Sequence, residues 1–176
     1  RTFDLVVDAC ITAPERQPLG GAATAEEKRA PIDLIVALDR SGSMLSEGKL
    51  ELCKKTVLLV IDALDESDSF GLVSYSTDAV VDVPLRRMGA EAKEAARRAV
   101  LALRAEGITN LSGGLLQSLA ELTERGSSAT QSCLLLTDGL ANRGVTGTAQ
   151  LVALAKSVLG SAAPTTATTT KAATTA

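Results

Sequence analysis

Three oxygen-bearing side chains follow one another at alternate positions early in the chain. Asp39, Ser41 and Ser43 come directly after the apolar run Ile32–Leu38, within the sequence D-R-S-G-S. One carboxylate and two hydroxyls supply only oxygen ligands, which suit a hard divalent cation such as Mg²⁺ rather than zinc or copper. Serine is also a favoured helix N-cap. The loop alone is therefore compatible both with a metal site and with a capped helix start.

Two further oxygen-bearing residues lie in separate loops of the sequence. Asp138 follows the apolar run Ser132–Thr137, and Thr109 lies in the loop Arg104–Asn110 before a helical pattern. Two carboxylates balance the charge of one divalent ion, and hydroxyls with waters fill much of an octahedron while leaving one position open. We therefore expect a Mg²⁺ site, whose ligands would also suit Mn²⁺ or Ca²⁺. Its predicted residues are Asp39, Ser41, Ser43, Thr109 and Asp138.

Strand patterns place these loops at the ends of buried strands. The almost continuously apolar run Ile32–Leu38 is typical of a central parallel strand covered on both faces. Ser69–Tyr75 and Ser132–Thr137 have the same character, and Ser132–Thr137 is expected to be buried on both faces. Ala79–Leu85 follows Ser69–Tyr75 at hairpin distance and should pair with it antiparallel, with Pro84 marking a sheet edge.

Helical patterns separate most of these strands. Apolar residues recur at helical spacing in four segments. These are Lys49–Leu64, Glu91–Leu103, Ser112–Glu124 and Thr148–Leu159. The alternation predicts an α/β fold: a doubly wound, mostly parallel sheet with one antiparallel edge strand and helices on both faces. Ligands of such sheets bind at the carboxyl ends of the strands, where the predicted site residues lie.

Composition shifts divide the chain into three parts. Residues 1–30 contain the strand pattern Phe3–Thr12 and nearly all of the polar linker Pro14–Pro31. Residues 31–160 form the domain. Residues 161–176 are nearly all Ala and Thr, which bury too little apolar area to pack, so this tail is expected to be disordered.

Composition also excludes several classes of function. The chain contains no histidine, which excludes Ser-His-Asp and Cys-His catalysis and histidine-ligated zinc. The formal net charge is −3 and there is no Lys/Arg-rich run, so nucleic acid is not an expected partner. The sequence has no apolar run long enough to insert in a membrane. Cys10, Cys53 and Cys133 are interpreted as free thiols, which favours a reducing, intracellular compartment.

Three motifs together resemble the von Willebrand factor A domain and its metal-ion-dependent adhesion site. They are D-R-S-G-S at Asp39–Ser43, the Thr109–Asn110 loop, and L-L-T-D-G-L-A-N-R-G at Leu135–Gly144. The resemblance covers roughly Pro31 to Leu159 and keeps the family's motif order. It implies a Rossmann-like fold with one short antiparallel edge strand.

The resemblance also implies roles for the five residues. Ser41, Ser43 and Thr109 would coordinate the metal through their hydroxyls, and Asp39 and Asp138 would bind it directly or through water. The open position would be completed by an Asp or Glu carboxylate of a partner protein.

The sequence departs from the family at its C-terminal end. Relatives continue after the last helix with another apolar strand and helix, where this chain has the Ala/Thr tail, so we expect a truncated sheet that lacks its last strand. The phrase P-L-R-R-M at Pro84–Met88 resembles intracellular RING-associated or inter-alpha-inhibitor-like members.

Two other functions are compatible with parts of the pattern. A phosphohydrolase of the aspartyl-nucleophile type would also place Asp39 beside Mg²⁺, although such enzymes need a second carboxylate at the position of Ser41. A degenerate scaffold domain would bind no metal. Arg40 and Lys49 are interpreted as ordinary solvated side chains. The expected function is a non-enzymatic, adhesion-type module for protein–protein interaction that presents Mg²⁺ to a partner carboxylate.

Overall fold

The computed structural model of the 176-residue chain describes residues 29–123, 130–138 and 141–159, together with two short strands at 6–7 and 170–171. Its strands and helices alternate along the main body. The strands are β1 (Val6–Val7), β2 (Ile32–Asp39), β3 (Ser69–Tyr75), β4 (Ala79–Arg87), β5 (Thr130–Leu136) and β6 (Thr170–Lys171). The helices are α1 (Lys49–Ala63), α2 (Ala90–Ala102), α3 (Leu111–Thr123) and α4 (Thr148–Leu159), and a 3₁₀ segment spans Gly42–Gly48.

Four of the strands form one mixed sheet in the order β4-β3-β2-β5. β2 pairs in parallel with both β3 and β5, and β4 pairs antiparallel with β3 at one edge. The predicted fold class is confirmed: a Rossmann-like α/β sheet with one antiparallel edge strand. Because β2 lies between two parallel neighbours, the carboxyl ends of three strands meet at one edge of the sheet.

The core lies on both faces of this sheet, which explains why β2 is apolar from Leu34 to Leu38. Leu34, Val36 and Leu38 pack with α1 and α2, whereas the alternate residues Ile35 and Ala37 pack with α3. Successive side chains of a strand point to opposite faces, so a strand covered on both sides needs apolar side chains on both faces. β2 is therefore the rigid centre from which the Asp39 loop starts.

Helix α3 approaches the sheet closely at one glycine. A Cβ atom on Gly114 would lie 2.3 Å from a ring carbon of Tyr75, a fully buried residue of β3. Only a residue without a side chain fits there. This contact fixes the height of α3 above the sheet and thereby the position of the loop that leads into it. None of the helices in the described ranges is long and apolar enough to cross a bilayer.

Two strands differ from their sequence predictions. β4 continues through Pro84 to Arg87, because proline is tolerated in an edge strand whose outer N–H groups need no ladder partner. β5 was expected to be buried on both faces, but of its residues only Cys133 and Leu136 are buried. That expectation was wrong, since β5 is an edge strand of the described four-stranded sheet.

Several predictions for the chain ends fall outside the described residues. Of the strand predicted over Phe3–Thr12, only β1 is described, and it pairs antiparallel with β6. Most of the predicted linker and most of the predicted disordered tail at residues 161–176 are not described, nor is Cys10. Cys53 and Cys133 are free and buried, as predicted.

The amino-terminal end of the sheet is closed by one buried carboxylate. Asp68 is fully buried, and its Oδ1 accepts hydrogen bonds from Arg29 Nη1 at 2.8 Å and from the Ile32 N–H at 3.1 Å. Its Oδ2 accepts from Arg29 Nη2 and from the Asp65 N–H, and its carbonyl accepts from the Met88 N–H. Asp68 therefore joins the segment before β2, the α1–β3 turn and the end of β4.

These contacts determine the ionisation of Asp68. Burial by itself would raise the pKa of this carboxyl group, but the hydrogen bonds from Arg29 and from two backbone N–H groups, with the charge of Arg29, outweigh burial and lower it. The charged form is therefore favoured by the folded state.

We predict that Asp68→Asn lowers the free energy of unfolding by about 1–3 kcal/mol at neutral pH, because the amide loses the charge and one acceptor oxygen. Since the folded-state pKa is lowered, the wild-type contribution is complete above about pH 4 and is lost as the pH falls through the folded-state value. Urea denaturation at neutral and at acid pH should show the difference shrinking in acid. Glu66→Gln, at an exposed carboxylate in the same turn, should change little, and equal losses in both variants would contradict the prediction.

Candidate functional site

The site begins with the last residue of β2. Asp39 is fully buried and lies next to Tyr75 of β3 across the parallel ladder. Its Oδ1 accepts a hydrogen bond from the Ser41 N–H at 2.8 Å, and its Oδ2 accepts one from Thr137 Oγ1, also at 2.8 Å. The carboxyl group therefore turns its own loop and ties it to the residue that follows β5.

The two serine hydroxyls lie together at the start of the 3₁₀ segment. Ser41 occupies the N-cap position, but its side chain makes no capping hydrogen bond. Its Oγ lies instead 3.1 Å from Ser43 Oγ. Ser41 is buried and Ser43 is half-buried. The Ser41 side chain therefore does not cap this segment, and the two hydroxyls lie within hydrogen-bond distance of each other.

The loop that carries Thr109 is attached to the Asp39 loop by its backbone. The Gly42 N–H donates to the Gly107 carbonyl at 3.0 Å. Gly107 has a φ of 71°, in the left-handed region that favours glycine, and a Cβ atom there would lie 2.6 Å from Thr77 Oγ1. Thr109 itself is buried two residues later. Both the turn and the close approach therefore need glycine at position 107.

Asn142 fastens the Thr109 loop to the loop after β5. The Thr109 N–H donates to Asn142 Oδ1 at 2.8 Å, and the N–H groups of Asn142 and Arg143 both donate to the Thr109 carbonyl at 3.2 Å. Each of the three loops is therefore hydrogen-bonded to the other two. This mutual support fixes the relative positions of the three loops.

Asp138 brings the second carboxylate to this edge. Its side chain is only 7% exposed, and its Oδ2 accepts a hydrogen bond from Lys49 Nζ at 3.1 Å. Its Oδ1 is buried and has no hydrogen-bond partner among the described residues. A buried carboxylate oxygen without a partner loses its hydration at a considerable free-energy cost. This atom is available to a cation.

The negative charges of the site affect their neighbours. Burial raises the pKa of Asp39, and the charge of Asp138 adds to this, although hydrogen bonds from Ser41 and Thr137 act in the opposite direction. Burial, followed by the charges of Asp39 and Asp138, raises the pKa of Cys53 to about 11. The two carboxylates therefore share a poorly hydrated region in which a positive charge is favoured.

Arg40 lies at the rim of the site, and its interpretation as a solvated side chain was wrong. Its side chain is only 15% exposed; Nε donates to Ser74 Oγ at 3.1 Å, and Nη1 pairs with Glu106 at 2.5 Å. An open groove of about 340 Å³ lies beside this pair. The groove is lined by Arg40, Ser76, Thr77, Asp78, Val80, Glu106 and Gly107.

The structure places all five predicted residues at the carboxyl edge of the sheet. It brings Asp39, Ser41 and Ser43 into direct contact, and it connects Thr109 and Asp138 to them through intervening residues. Sequence reasoning missed the supporting roles of Lys49 and Thr137, and it assigned Asn142 to shaping the loop after Asp138 without its link to Thr109. Thr137 and Asn142 lie within the recognised motif around Asp138, whereas nothing in the local pattern distinguished Lys49 from a solvated lysine.

The donor set fits a hard divalent cation. All five side chains offer oxygen, two are carboxylates, and one buried carboxylate oxygen has no partner within the described ranges. Both oxygens of Asp39 accept hydrogen bonds from the protein. In Asp138 only Oδ2 has a hydrogen-bond partner among the described residues.

Comparison with known proteins identifies a family and several relatives. The family model of the von Willebrand factor type A domain matches residues 33–165. A region of the Arabidopsis thaliana protein named E3 ubiquitin-protein ligase WAVH1 is 41% identical over 73 residues, which are 42% of this chain and 10% of that protein. The uncharacterized protein sll0103 of Synechocystis is 31% identical over 141 residues, 77% of this chain and 32% of that protein. The chain thus spans a third or less of these relatives.

Solved structures show the same fold. A von Willebrand factor type A protein from Catenulispora acidiphila aligns with a TM-score of 0.52 and 28% identity over 58% of this chain and 25% of that one. The open conformation of the pilus adhesin SpaC from Lactobacillus rhamnosus GG aligns with a TM-score of 0.58 and 25% identity over 65% of this chain and 15% of that one.

We predict that Asp39→Asn stabilises the metal-free protein by about 1 kcal/mol at neutral pH, because it removes a buried charge and keeps an acceptor for the Ser41 N–H. Since burial raises the folded-state pKa of Asp39, the wild type loses stability as the pH rises through that value, and the advantage of the variant should grow from acid to neutral pH. Thermal denaturation in the presence of a chelator, at acid and at neutral pH, measures the difference in stability between the variant and wild type, with Glu66→Gln as the control. An Asp39→Asn protein that is less stable than wild type at neutral pH would contradict this.

Proposed function

Because the chain belongs to the von Willebrand factor type A family, we propose that it is a protein-interaction module whose binding edge holds a divalent cation, preferably Mg²⁺. Asp39, Ser41, Ser43, Thr109 and Asp138 would hold the ion. When bound, the ion would supply a positive charge with an open coordination position. An Asp or Glu carboxylate of a partner protein would complete that position.

One observation carries this proposal: the buried Oδ1 of Asp138 has no hydrogen-bond partner among the described residues. Both oxygens of the buried carboxylate Asp68 are satisfied by the protein. Asp33 Oδ2, in β2, also lacks a partner among the described residues, so the oxygen of Asp138 is distinguished by its place at the edge that carries the other predicted ligands. The paired hydroxyls of Ser41 and Ser43 lie at the same edge. The arrangement favours a cation over a scaffold domain that binds none.

The surroundings of the site favour a protein partner. The groove beside Arg40 and Glu106 is open, so chain segments on either side of a partner carboxylate would have room there. The similar SpaC protein of Lactobacillus rhamnosus GG is a pilus adhesin. Interaction through this edge is the corresponding proposal for the present chain.

An enzymatic role is supported less well by the site. The sequence has no histidine, and both oxygens of Asp39 accept hydrogen bonds, which leaves this carboxylate poorly placed as a nucleophile. Ser41 stands where a phosphohydrolase of the aspartyl type needs a second carboxylate. Relatives named E3 ubiquitin-protein ligases match over 10% and 19% of their lengths, so an activity of the whole relative does not transfer to this segment.

We expect Asp39→Ala to abolish Mg²⁺ binding, because it removes one of the two charges that balance the ion and releases the Asp39 loop from Thr137. Ser41→Ala removes one neutral ligand that water replaces, so it should weaken binding by about tenfold. Isothermal titration calorimetry with Mg²⁺ and with Mn²⁺ measures both effects.

Glu66→Ala is the matched control, since it removes an exposed carboxylate at the opposite end of the sheet and should leave metal affinity unchanged. Circular dichroism should show that all variants remain folded. If wild type and Asp39→Ala give the same heats in the same buffer, the metal-site proposal is wrong.

A separate measurement distinguishes the module from a hydrolase. With a generic phosphate ester and Mg²⁺, we expect no turnover above the buffer rate, because the site offers no free nucleophile with an adjacent base. Reproducible turnover that disappears in Asp39→Asn would establish the enzyme alternative in place of the module.

A further inference from the structure

Lys49 connects the start of α1 to the loop after β5. It is the first residue of the helix, and its Nζ donates to Asp138 Oδ2 at 3.1 Å. The lysine side chain is 22% exposed and its partner carboxylate 7%, so the ion pair is largely withdrawn from water. Such a pair is screened by salt much less than a surface pair.

The Lys49–Asp138 ion pair reduces the repulsion between the two carboxylates of the site. Asp39 is fully buried and the side chain of Asp138 is only 7% exposed, so two carboxylates lie at one poorly hydrated edge of the sheet. Without a counter-ion, two such carboxylates would oppose closure of the three loops. The ammonium group of Lys49 supplies one positive charge at this place.

We propose that Lys49 is a tethered counter-ion of the site: its ammonium group neutralises Asp138 when no metal is bound and competes with a divalent cation for that carboxylate. The inference rests on the proposed metal site and deepens it. Lys49 would keep the three loops of the binding edge together in the metal-free state. It would also set the metal concentration at which the module can bind a partner carboxylate.

The competition follows from charge and from where the two oxygens point. Lys49 holds Oδ2, while Oδ1 of the same carboxyl group has no partner within the described part of the chain. A divalent ion bound to Asp138 would therefore lie close to the positive charge of Lys49. Either the ammonium group moves away, or its repulsion weakens the binding of the ion. At the effective dielectric of a partly buried site, a unit charge at such range changes affinity by about tenfold or more.

A different role for Lys49 predicts the opposite result. If the lysine served to orient Asp138 for the metal, its removal would leave the carboxylate free to rotate, and metal affinity would fall. The sign of the change in affinity therefore separates a counter-ion from a positioning residue.

The test uses the whole chain with Lys49→Met, which keeps the aliphatic length and removes the charge. We expect its Kd for Mg²⁺, measured by calorimetry at low ionic strength, to fall about tenfold, and its thermal midpoint in a chelator to fall below that of wild type. Lys49→Arg keeps the charge and should stay within about threefold of the wild-type Kd. Lys55→Met, at an exposed position of the same helix, should match wild type in both measurements.

Three outcomes would overturn the inference. Unchanged or weaker Mg²⁺ binding by Lys49→Met, with wild type binding, refutes the counter-ion role alone and leaves the proposed function intact. Equal affinities of Lys49→Arg and Lys49→Met, both tighter than wild type, would show that charge does not cause the effect. Absence of Mg²⁺ and Mn²⁺ binding by wild type and Lys49→Met alike refutes both proposals. If Lys49→Met does not fold, Lys49→Gln replaces it under the same criteria.

Discussion

The carboxyl group of Asp39 joins two parallel strands at the point where both end, and the geometry of the whole site depends on this link. One of its oxygens shapes the loop after β2 through the Ser41 N–H, and the other binds the Thr137 hydroxyl at the end of β5. The contact between Gly42 and Gly107 can form because this loop is already turned. The third connection, through Asn142, then closes a ring of three loops.

The fold could be predicted because the apolar strand and helix patterns that specify it lie within short segments and recur along the chain. β2 is almost continuously apolar between Leu34 and Leu38 because both faces are covered, and a similar apolar signal recurs in β3. The site residues of the first loop are neighbours in sequence, so Asp39, Ser41 and Ser43 could be recognised together. Thr109 and Asp138 could be added because parallel strands deliver their carboxyl ends to one edge.

The remaining features depend on tertiary contacts that leave no local signal. Lys49 looks like any lysine at a helix start, and its role arises only because α1 begins beside a residue 89 positions later in the chain. β5 is as rich in leucine as a central strand, yet its burial depends on which strands flank it and not on its own composition. Arg40 could not be assigned to Glu106 because their loops are 66 residues apart.

Two buried aspartates at opposite ends of the same sheet show how stability and binding are separated. Asp68 lies at the amino-terminal end, where hydrogen bonds from Arg29 and backbone N–H groups overcome burial and lower its pKa. Asp39 lies at the carboxyl end, where burial and the nearby charge of Asp138 raise the pKa in spite of hydrogen bonds. The first carboxylate therefore favours folding in its charged form, and the second opposes it. A site that retains an unfavourable charge gains free energy when it takes up a cation, and the hydrogen bonds of Asp68 at the other end of the sheet stabilise the fold against the cost of that charge.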